Sequence, residues 1–256
     1  MECSQIGKIG LISMKAIIRK ELLTFFGSPM GYLIVSIYLI LNGLFIWVLD
    51  NPYNVLLSGF ADLTAFFSLT PWIFLVFIPA ITMRSLSEEI RSGTLEVLLT
   101  KPISRGELAL GKNLGSLAVV MIALIPTLAY VWVLNGLTLP NSELDWGAIF
   151  GSYIGLVVVA ASFCSIGIFC SSLTSNQIVA FLGAAVLSFC LYYLPEATAS
   201  QFPAVDFFAP LGMSTHFHSL ARGVISLADL LYFLVIGYIF WYGTRTQLQR
   251  VSTQYS

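Results

Sequence analysis

The sequence predicts an all-α integral membrane protein that crosses the bilayer six times. Its 256 residues are 57% hydrophobic and only 10% charged, whereas soluble domains carry about 25% charged residues. Apolar runs long enough for spanning helices, which need about 20 residues, recur along the chain. The alternation of apolar and polar residues that marks a transmembrane strand is absent, which argues against a β-barrel.

Six apolar segments are the predicted spans, and the last two are the shortest. Away from their ends, none of the six contains Asp, Glu, Lys, Arg or His. Proton relays and ion-coupled carriers place ionisable groups near the bilayer midplane, so this composition argues against both. The spans lie within one transmembrane domain, residues 1–256, at about residues 30–49, 63–83, 114–134, 147–170, 178–194 and 228–244.

The distribution of basic residues predicts the orientation. If the N-terminus is cytosolic, eleven of the twelve Lys and Arg residues fall on the cytosolic side, and only Arg222 falls outside. Cytosolic loops carry such an excess of Lys and Arg. The prediction is therefore that both termini are cytosolic. The segment 84–113 is then a cytosolic loop between spans 2 and 3.

Residues 14–28 precede the first span and are predicted to form an amphipathic helix at the inner membrane interface. Basic residues alternate with the apolar stripe, and Gly27, Ser28 and Pro29 end the helix. The alternative is a basic anchor ahead of the span. Residues 1–13 fit either a cytosolic leader or an upstream start ahead of Met14. The apolar stripe consists of Ile17, Ile18, Leu22, Phe25 and Phe26.

The last outer segment, residues 195–227, is too apolar for a solvated loop. Irregular backbone at membrane depth has to be buried in protein, so this segment is expected to re-enter the outer leaflet or to pack on the span ends. In the fourth span, Gly151 and Gly155 form a GxxxG pair. Such pairs favour close helix packing, with an oligomer contact as the alternative.

The segment from Arg84 to Lys112 holds nine of the 25 charged residues of the chain. Two S-x-x-E patterns, beginning at Ser85 and Ser104, predict helix N-termini with capping boxes. Gly93 and Pro102 predict the breaks between helices. The segment therefore reads as two short amphipathic helices with a bend, followed by the helix that becomes span 3.

The apolar face of these short helices has to be buried on lipid, on the chain's own helix ends or in another protein. The segment carries five basic and four acidic residues. This near-neutral charge gives little attraction to anionic lipid, and it favours a protein partner for the apolar face.

Two further patterns are weak. The stretch Gly106 to Asn113 resembles a phosphate-binding loop, but it lacks the preceding strand and the hydroxyl residue that holds Mg²⁺. His216 and His218 are too few for a zinc site, although contact with a metal or a catalytic role is an alternative for them. We predict no catalytic residue, no metal site and no nucleic-acid partner.

The pattern E-x-x-x-G-T-L-E-x-L-L-x-x-P, at 89–102, with Gly111 and Lys112 after it, resembles the first cytosolic loop of ABC-2 type transporter permeases. The stretch MKAIIRKELLTFFGSPMGY and the long apolar outer segment resemble the gliding-motility-associated permease subunit of Bacteroidetes. The permease of nitrous-oxide-reductase maturation is a close second.

The resemblance implies a permease subunit of an exporter in the bacterial inner membrane, linked to gliding motility or secretion. ATP would be bound and hydrolysed by a separate ABC ATPase subunit, and a second permease copy or paralogue would complete the transporter. The alternatives are a non-transporting membrane anchor and a copper- or sulfur-related permease. The substrate stays unknown. The residues implied to contact the ATPase are Glu88, Glu89, Arg91, Gly93, Thr94, Leu95, Glu96, Leu98, Leu99 and Pro102.

Overall fold

A computed structural model describes residues 2–58, 62–100, 103–137, 144–201, 210–224 and 226–254. Over these residues the chain is helical and contains no strand. The helices are α1 (Glu2–Phe26), α2 (Pro29–Gly43), α3 (Val55–Ser58), α4 (Thr64–Thr82), α5 (Ser87–Arg91), α6 (Thr94–Leu99), α7 (Arg105–Leu124), α8 (Leu128–Leu137), α9 (Trp146–Leu173), α10 (Gln177–Tyr192), α11 (Leu194–Gln201), α12 (Met213–Ala221) and α13 (Leu227–Gln254).

Five helical stretches in the described residues are long and apolar enough to cross a membrane. The all-α prediction is confirmed, but the count of six spans is not, because α10 has only 16 residues where about 20 are needed. The helix predicted at 14–28 extends further toward the N-terminus, as α1. The five stretches are Pro29–Val48, Thr64–Arg91, Arg105–Leu137, Trp146–Leu173 and Leu227–Val251.

Polar side chains at the helix starts explain where several helices begin. The hydroxyl of Ser104 accepts from the amide of Glu107, whose carboxylate accepts from the amide of Ser104, so the predicted capping box of α7 is confirmed. Asp145 caps α9 and Asn176 caps α10. The capping box predicted at Ser85 is wrong, because α5 begins two residues later and has no side-chain cap.

The proline residues in the spans affect their helices in different ways. At Pro126 a short 3₁₀ turn, Ile125–Thr127, separates α7 from α8, because proline supplies no amide hydrogen for the α-helical ladder. The hydroxyl of Thr127 donates to the carbonyl of Leu124 at this break. Pro71 and Pro79 lie inside α4, which continues through both of them.

Helix α9 is the centre of the bundle and packs against α4, α7, α10, α12 and α13. Its small residues permit this. A Cβ atom at Gly151 would lie 2.6 Å from the carbonyl oxygen of Leu220, and one at Gly155 would lie 3.1 Å from the ring of Phe217. The GxxxG pair therefore packs on α12 of the same chain, as the packing interpretation predicts.

The most crowded glycine lies where α9 crosses α4. A Cβ atom at Gly167 would overlap the buried side chain of Thr82. We expect Gly167→Ala to lower the free energy of unfolding by about 1–3 kcal/mol, as overpacking of a core does, measured by denaturant unfolding in detergent. Gly136→Ala is the matched control, since its Cβ would meet nothing within 4 Å. Equal stabilities of the two variants would contradict the close crossing.

Different helices form the two ends of the bundle. At one end, called the coupling end, lie α5, α6, the start of α7 and the final turns of α9 and α13. At the opposite end, α12 packs on the first half of α9. Because the chain leaves α9 at the coupling end and reaches α12 at the other, α10 and α11 carry it across the bundle. Residues 202–209 of the predicted outer segment lie outside the described residues.

Candidate coupling site

Helices α5 and α6 form the predicted pair of short helices, and Gly93 separates them. Its φ angle is +70°, in the left-handed region that glycine adopts at low cost. The predicted break at this residue is confirmed. The second predicted break, at Pro102, lies outside the described residues.

The apolar face of the pair is buried by the chain itself. Leu86 and Leu95 are almost fully buried, and Ile90 and Leu98 pack at the edge of the same cluster. The expectation of a protein partner for this face is therefore corrected, because the chain's own helix ends occupy it. The partners come from α1, α7, α9 and α13 and are Ile17, Leu108, Ala109, Ile168 and Leu248.

The ten residues implied to contact an ATPase separate into two groups. Glu88, Arg91, Gly93, Thr94 and Glu96 are exposed, as is their neighbour Val97. Leu95 is buried, and Glu89 and Leu98 are partly buried. Leu99 ends α6, and its side chain and Pro102 lie outside the description. The exposed group forms the free surface of the short helices, called here the coupling face and consisting of Glu88, Arg91, Gly93, Thr94, Glu96 and Val97.

A buried ammonium group lies directly behind the coupling face. The side chain of Lys112, on α7, is 1% exposed. Its Nζ lies 2.9 Å from Oε1 of Glu21 on α1 and 2.9 Å from Oε2 of Glu89 on α5. It also donates to the carbonyl of Ser85 at 2.6 Å. The contact with Glu21 is a hydrogen bond, whereas the contact with Glu89 is ionic with a poor hydrogen-bond angle.

The second ammonium group of this network belongs to Lys20, whose Nζ lies 2.8 Å from Oε1 of Glu89. Partial burial acts to lower the pKa of Lys20. The hydrogen bond to Glu89 and the charges of Glu89 and Glu21 outweigh it, so the pKa is raised above 10.5. Lys20 therefore keeps its charge below that pH, and the contribution of this charge is lost as pH rises through the raised pKa. Because Lys20 is half exposed, solvent screening keeps this contribution small.

One hydroxyl joins the other side of the coupling helices to the spans. The side chain of Ser171, in the last turn of α9, accepts from the amides of Leu86 and Ser87, both at 3.0 Å. It donates to the carbonyl of Met83 at 3.0 Å. This uses the whole capacity of a hydroxyl, one donor and two acceptor sites. The corner between α4 and α5 is thereby fixed to α9.

The phosphate-loop pattern has a packing explanation. Cβ atoms at Gly111 and Gly115 would lie 2.9 Å from Ile17 and 2.7 Å from Glu21. The two glycines therefore let α1 lie directly on α7, and the neighbouring ammonium group of Lys112 is occupied by Glu21 and Glu89. The pattern is a helix contact and offers no free lysine for a phosphate.

Sequence reasoning missed three residues of this site, Glu21, Lys112 and Ser171. In the sequence, Lys112 stands out only as the end of the charged segment and as part of the family pattern. The available signal was its position next to Gly111, two turns after the predicted helix start at Ser104. The two others carry no local signal, since their partners are distant in the sequence.

The comparison with known families concerns most of these helices. A family model described as an ABC-2 family transporter protein matches residues 15–220, from α1 to α12. The chain belongs to the ABC-2 transporter family. A search of curated proteins returned no match.

Membership of the ABC-2 family fits a multi-pass membrane protein with several apolar helices. The family is a membrane transport component, generally non-catalytic, that typically works with an ABC ATPase. The matched region of this ABC-2 transporter contains the coupling face, the Lys112 network and Ser171.

Proposed function

We propose that this ABC-2 transporter chain is the permease subunit of an ABC exporter and that a separate ATPase subunit docks on its coupling face. The ATPase would bind and hydrolyse ATP, and the chain itself needs no cofactor. Both termini lie in the cytosol, and a second permease copy or paralogue completes the assembly. The observation that carries the proposal is the coupling face itself. It exposes charged and apolar residues on two short helices that are bonded to several longer helices.

The chemistry of the coupling face suits a protein partner. It presents the opposite charges of Arg91 and Glu96 beside an exposed apolar residue, Val97, which is 64% exposed. Charged groups of both signs give specificity and orientation to an interface, and an apolar centre contributes affinity. Buried Leu95 and Glu89 would act by holding this surface in place.

The contacts behind the coupling face provide a path by which its displacement would reach the spans. Through Ser171 the short helices are fixed to the end of α9. The side-chain amide of Gln177, at the start of α10, donates to the carboxylate of Glu88. Through Lys112 the short helices are fixed to α7 and α1. A push by the ATPase would therefore reach several spans together.

The resemblance of the sequence to the gliding-motility-associated permease supports a more specific role. This role is that of an exporter of the bacterial inner membrane that serves gliding motility or secretion. A non-transporting anchor would use the same docking surface but move no substrate. Reconstitution with the ATPase in proteoliposomes separates the two, because candidate substrates stimulate ATP hydrolysis only in a transporter.

Charge reversal on the coupling face tests the docking. We expect Glu96→Lys to weaken binding of the ATPase that co-purifies with the wild-type chain by about tenfold, or 1.4 kcal/mol. Glu96 is exposed, so the fold and its unfolding temperature are expected to stay unchanged. This makes it cleaner than Leu98→Asp, which would also place a charge against the buried cluster.

The matched control is Arg222→Glu, an exposed charge reversal at the opposite end of the bundle. It is expected to leave ATPase binding at the wild-type level in quantitative pull-downs from detergent-solubilised membranes. If Glu96→Lys binds as tightly as Arg222→Glu does, the coupling face is not the docking surface.

A further inference from the structure

A histidine with two hydrogen-bond acceptors lies at the end of the bundle opposite the coupling face. His216, on α12, places Nδ1 at 2.6 Å from Oδ1 of Asp229 and Nε2 at 2.8 Å from the carbonyl oxygen of Pro210. The side chains of His216 and Asp229 are 17% and 10% exposed. The imidazole thus joins α12 to the first turn of α13 and to the segment that leads into α12.

A tyrosine of α13 completes this junction. The ring of Tyr232 stacks on the imidazole of His216, with centroids 4.0 Å apart and an interplanar angle of 23°. Its hydroxyl donates to the carbonyl of Leu211. The first turns of α13 therefore hold both α12 and residues 210–212.

The two acceptors decide the number of protons that this geometry requires. A carbonyl oxygen only accepts, and so does an ionised carboxylate. Both ring nitrogens of His216 therefore have to carry a hydrogen for both contacts to be hydrogen bonds. In the neutral ring, one nitrogen would point its lone pair at an oxygen less than 3 Å away.

Among the described residues, few charged groups surround His216. On α13 it meets Asp229 and Tyr232. The other helices against α12, α9 and α10, carry no Asp, Glu, Lys, Arg or His. Of the described charges at this end, Asp62, Asp145, Glu196 and Arg222 line a cavity together with His218, which His216 itself does not line.

That cavity depends on the position of α12. Its volume is about 870 Å³, and it lies between the N-terminal ends of α4 and α9 and the side of α12. Helix α12 and the residue after it supply Thr215, Phe217, His218, Ala221 and Arg222 to the wall. A displacement of α12 would therefore open or reshape the cavity.

We propose that His216 is a proton-operated latch that holds α12 as a wall of this cavity. With the imidazole protonated, both hydrogen bonds form and α12 is fixed to α13. Loss of the proton removes one of the two bonds and loosens α12. The device is separate from the coupling face and does not depend on the proposed ATPase.

The two histidines of the chain make the test direct. The full chain in lipid nanodiscs, labelled with ¹⁵N-histidine, gives separate ring signals, which His216→Gln and His218→Gln assign. Hydrogen exchange of the α12 amides, corrected for intrinsic rates, is compared at about pH 5 and about pH 8. We expect doubly protonated His216 at the lower pH and about tenfold slower exchange of α12 there.

Three variants separate the latch from a general structural role. His218→Gln, an exposed position on the same helix, should keep the wild-type pH dependence, and His216→Gln should exchange rapidly at both pH values. In Asp229→Asn, the α12 amides should exchange slowly at both pH values. The side-chain amide introduced at position 229 can donate to the unprotonated Nδ1 of His216. Wild-type exchange that is independent of pH, or loss of the pH dependence in His218→Gln, would overturn the proposal.

Discussion

Replacing Lys112 by methionine is expected to lower the free energy of unfolding by about 3–5 kcal/mol, the usual cost of removing one partner from a buried ion pair. The substitution leaves the carboxylates of Glu21 and Glu89 facing each other without the ammonium group that lies 2.9 Å from each. It also leaves the carbonyl of Ser85 without its 2.6 Å donor. The measurement is denaturant unfolding of the purified chain in detergent.

Two further variants separate the network from a general effect of losing a lysine. Lys15→Met removes an exposed ammonium group on α1 and should change stability by less than about 0.5 kcal/mol. Adding Glu21→Gln to Lys112→Met removes one of the two facing carboxylates and should restore part of the loss. A Lys112→Met chain as stable as Lys15→Met would show that the network contributes nothing.

Replacing Ser171 by alanine is expected to cost about 3 kcal/mol, because the buried amides of Leu86 and Ser87 would lose their partner, while the carbonyl of Met83 would keep the hydroxyl of Ser87 as its donor. Each unsatisfied buried group costs about 1–3 kcal/mol, and relaxation of the corner recovers some of this. In complex with this variant, the ATPase should also be stimulated less than it is by the wild-type permease. Unfolding in detergent and ATPase assays in proteoliposomes measure the two effects.

The neighbouring serine is the matched control for this substitution. Ser172 is also buried, but its hydroxyl donates only to the carbonyl of Phe169 within the same helix. Ser172→Ala should cost at most about 1 kcal/mol and leave ATPase stimulation unchanged. The assignment of Ser171 to the joint fails if the two alanine variants behave alike.

The features that the sequence predicted correctly are those set by neighbouring residues. The capping box at Ser104 needs only Glu107, three residues away, and the break at Gly93 needs only the freedom of one backbone unit. The five long apolar helices follow from apolar composition alone. These signals are local, so a single sequence contains them.

The features that were missed depend on contacts between distant residues. Lys112 and Glu21 are 91 positions apart, and Ser171 and Leu86 are 85 apart. The capping box predicted at Ser85 failed for the same reason, because its hydroxyl donates to Glu21 on α1 instead. A tertiary contact here replaced a locally favourable one, which no pattern within the segment 84–113 reveals.

The helix count shows a different limit. The apolar run at 178–194 was long enough to suggest a span, but the helix ends at Tyr192 and α11 begins at Leu194. Periodicity and composition do not locate such an end, because the apolar run continues through the junction to Leu194. The folding of α12 against α9 was likewise expected only in general terms, since it depends on Gly151 and Gly155 meeting Leu220 and Phe217.

The charges behind the coupling face have a consequence for the response to salt. Lys20 and Lys112 balance Glu21 and Glu89, so the network carries no net charge, and its central ammonium group is sealed from water. Dissolved ions screen exposed charges within about 8–10 Å at physiological strength but hardly reach buried pairs. Added salt therefore weakens the attraction of Arg91 and Glu96 to a docking partner. The ion pairs of Lys112 behind the coupling face keep their strength.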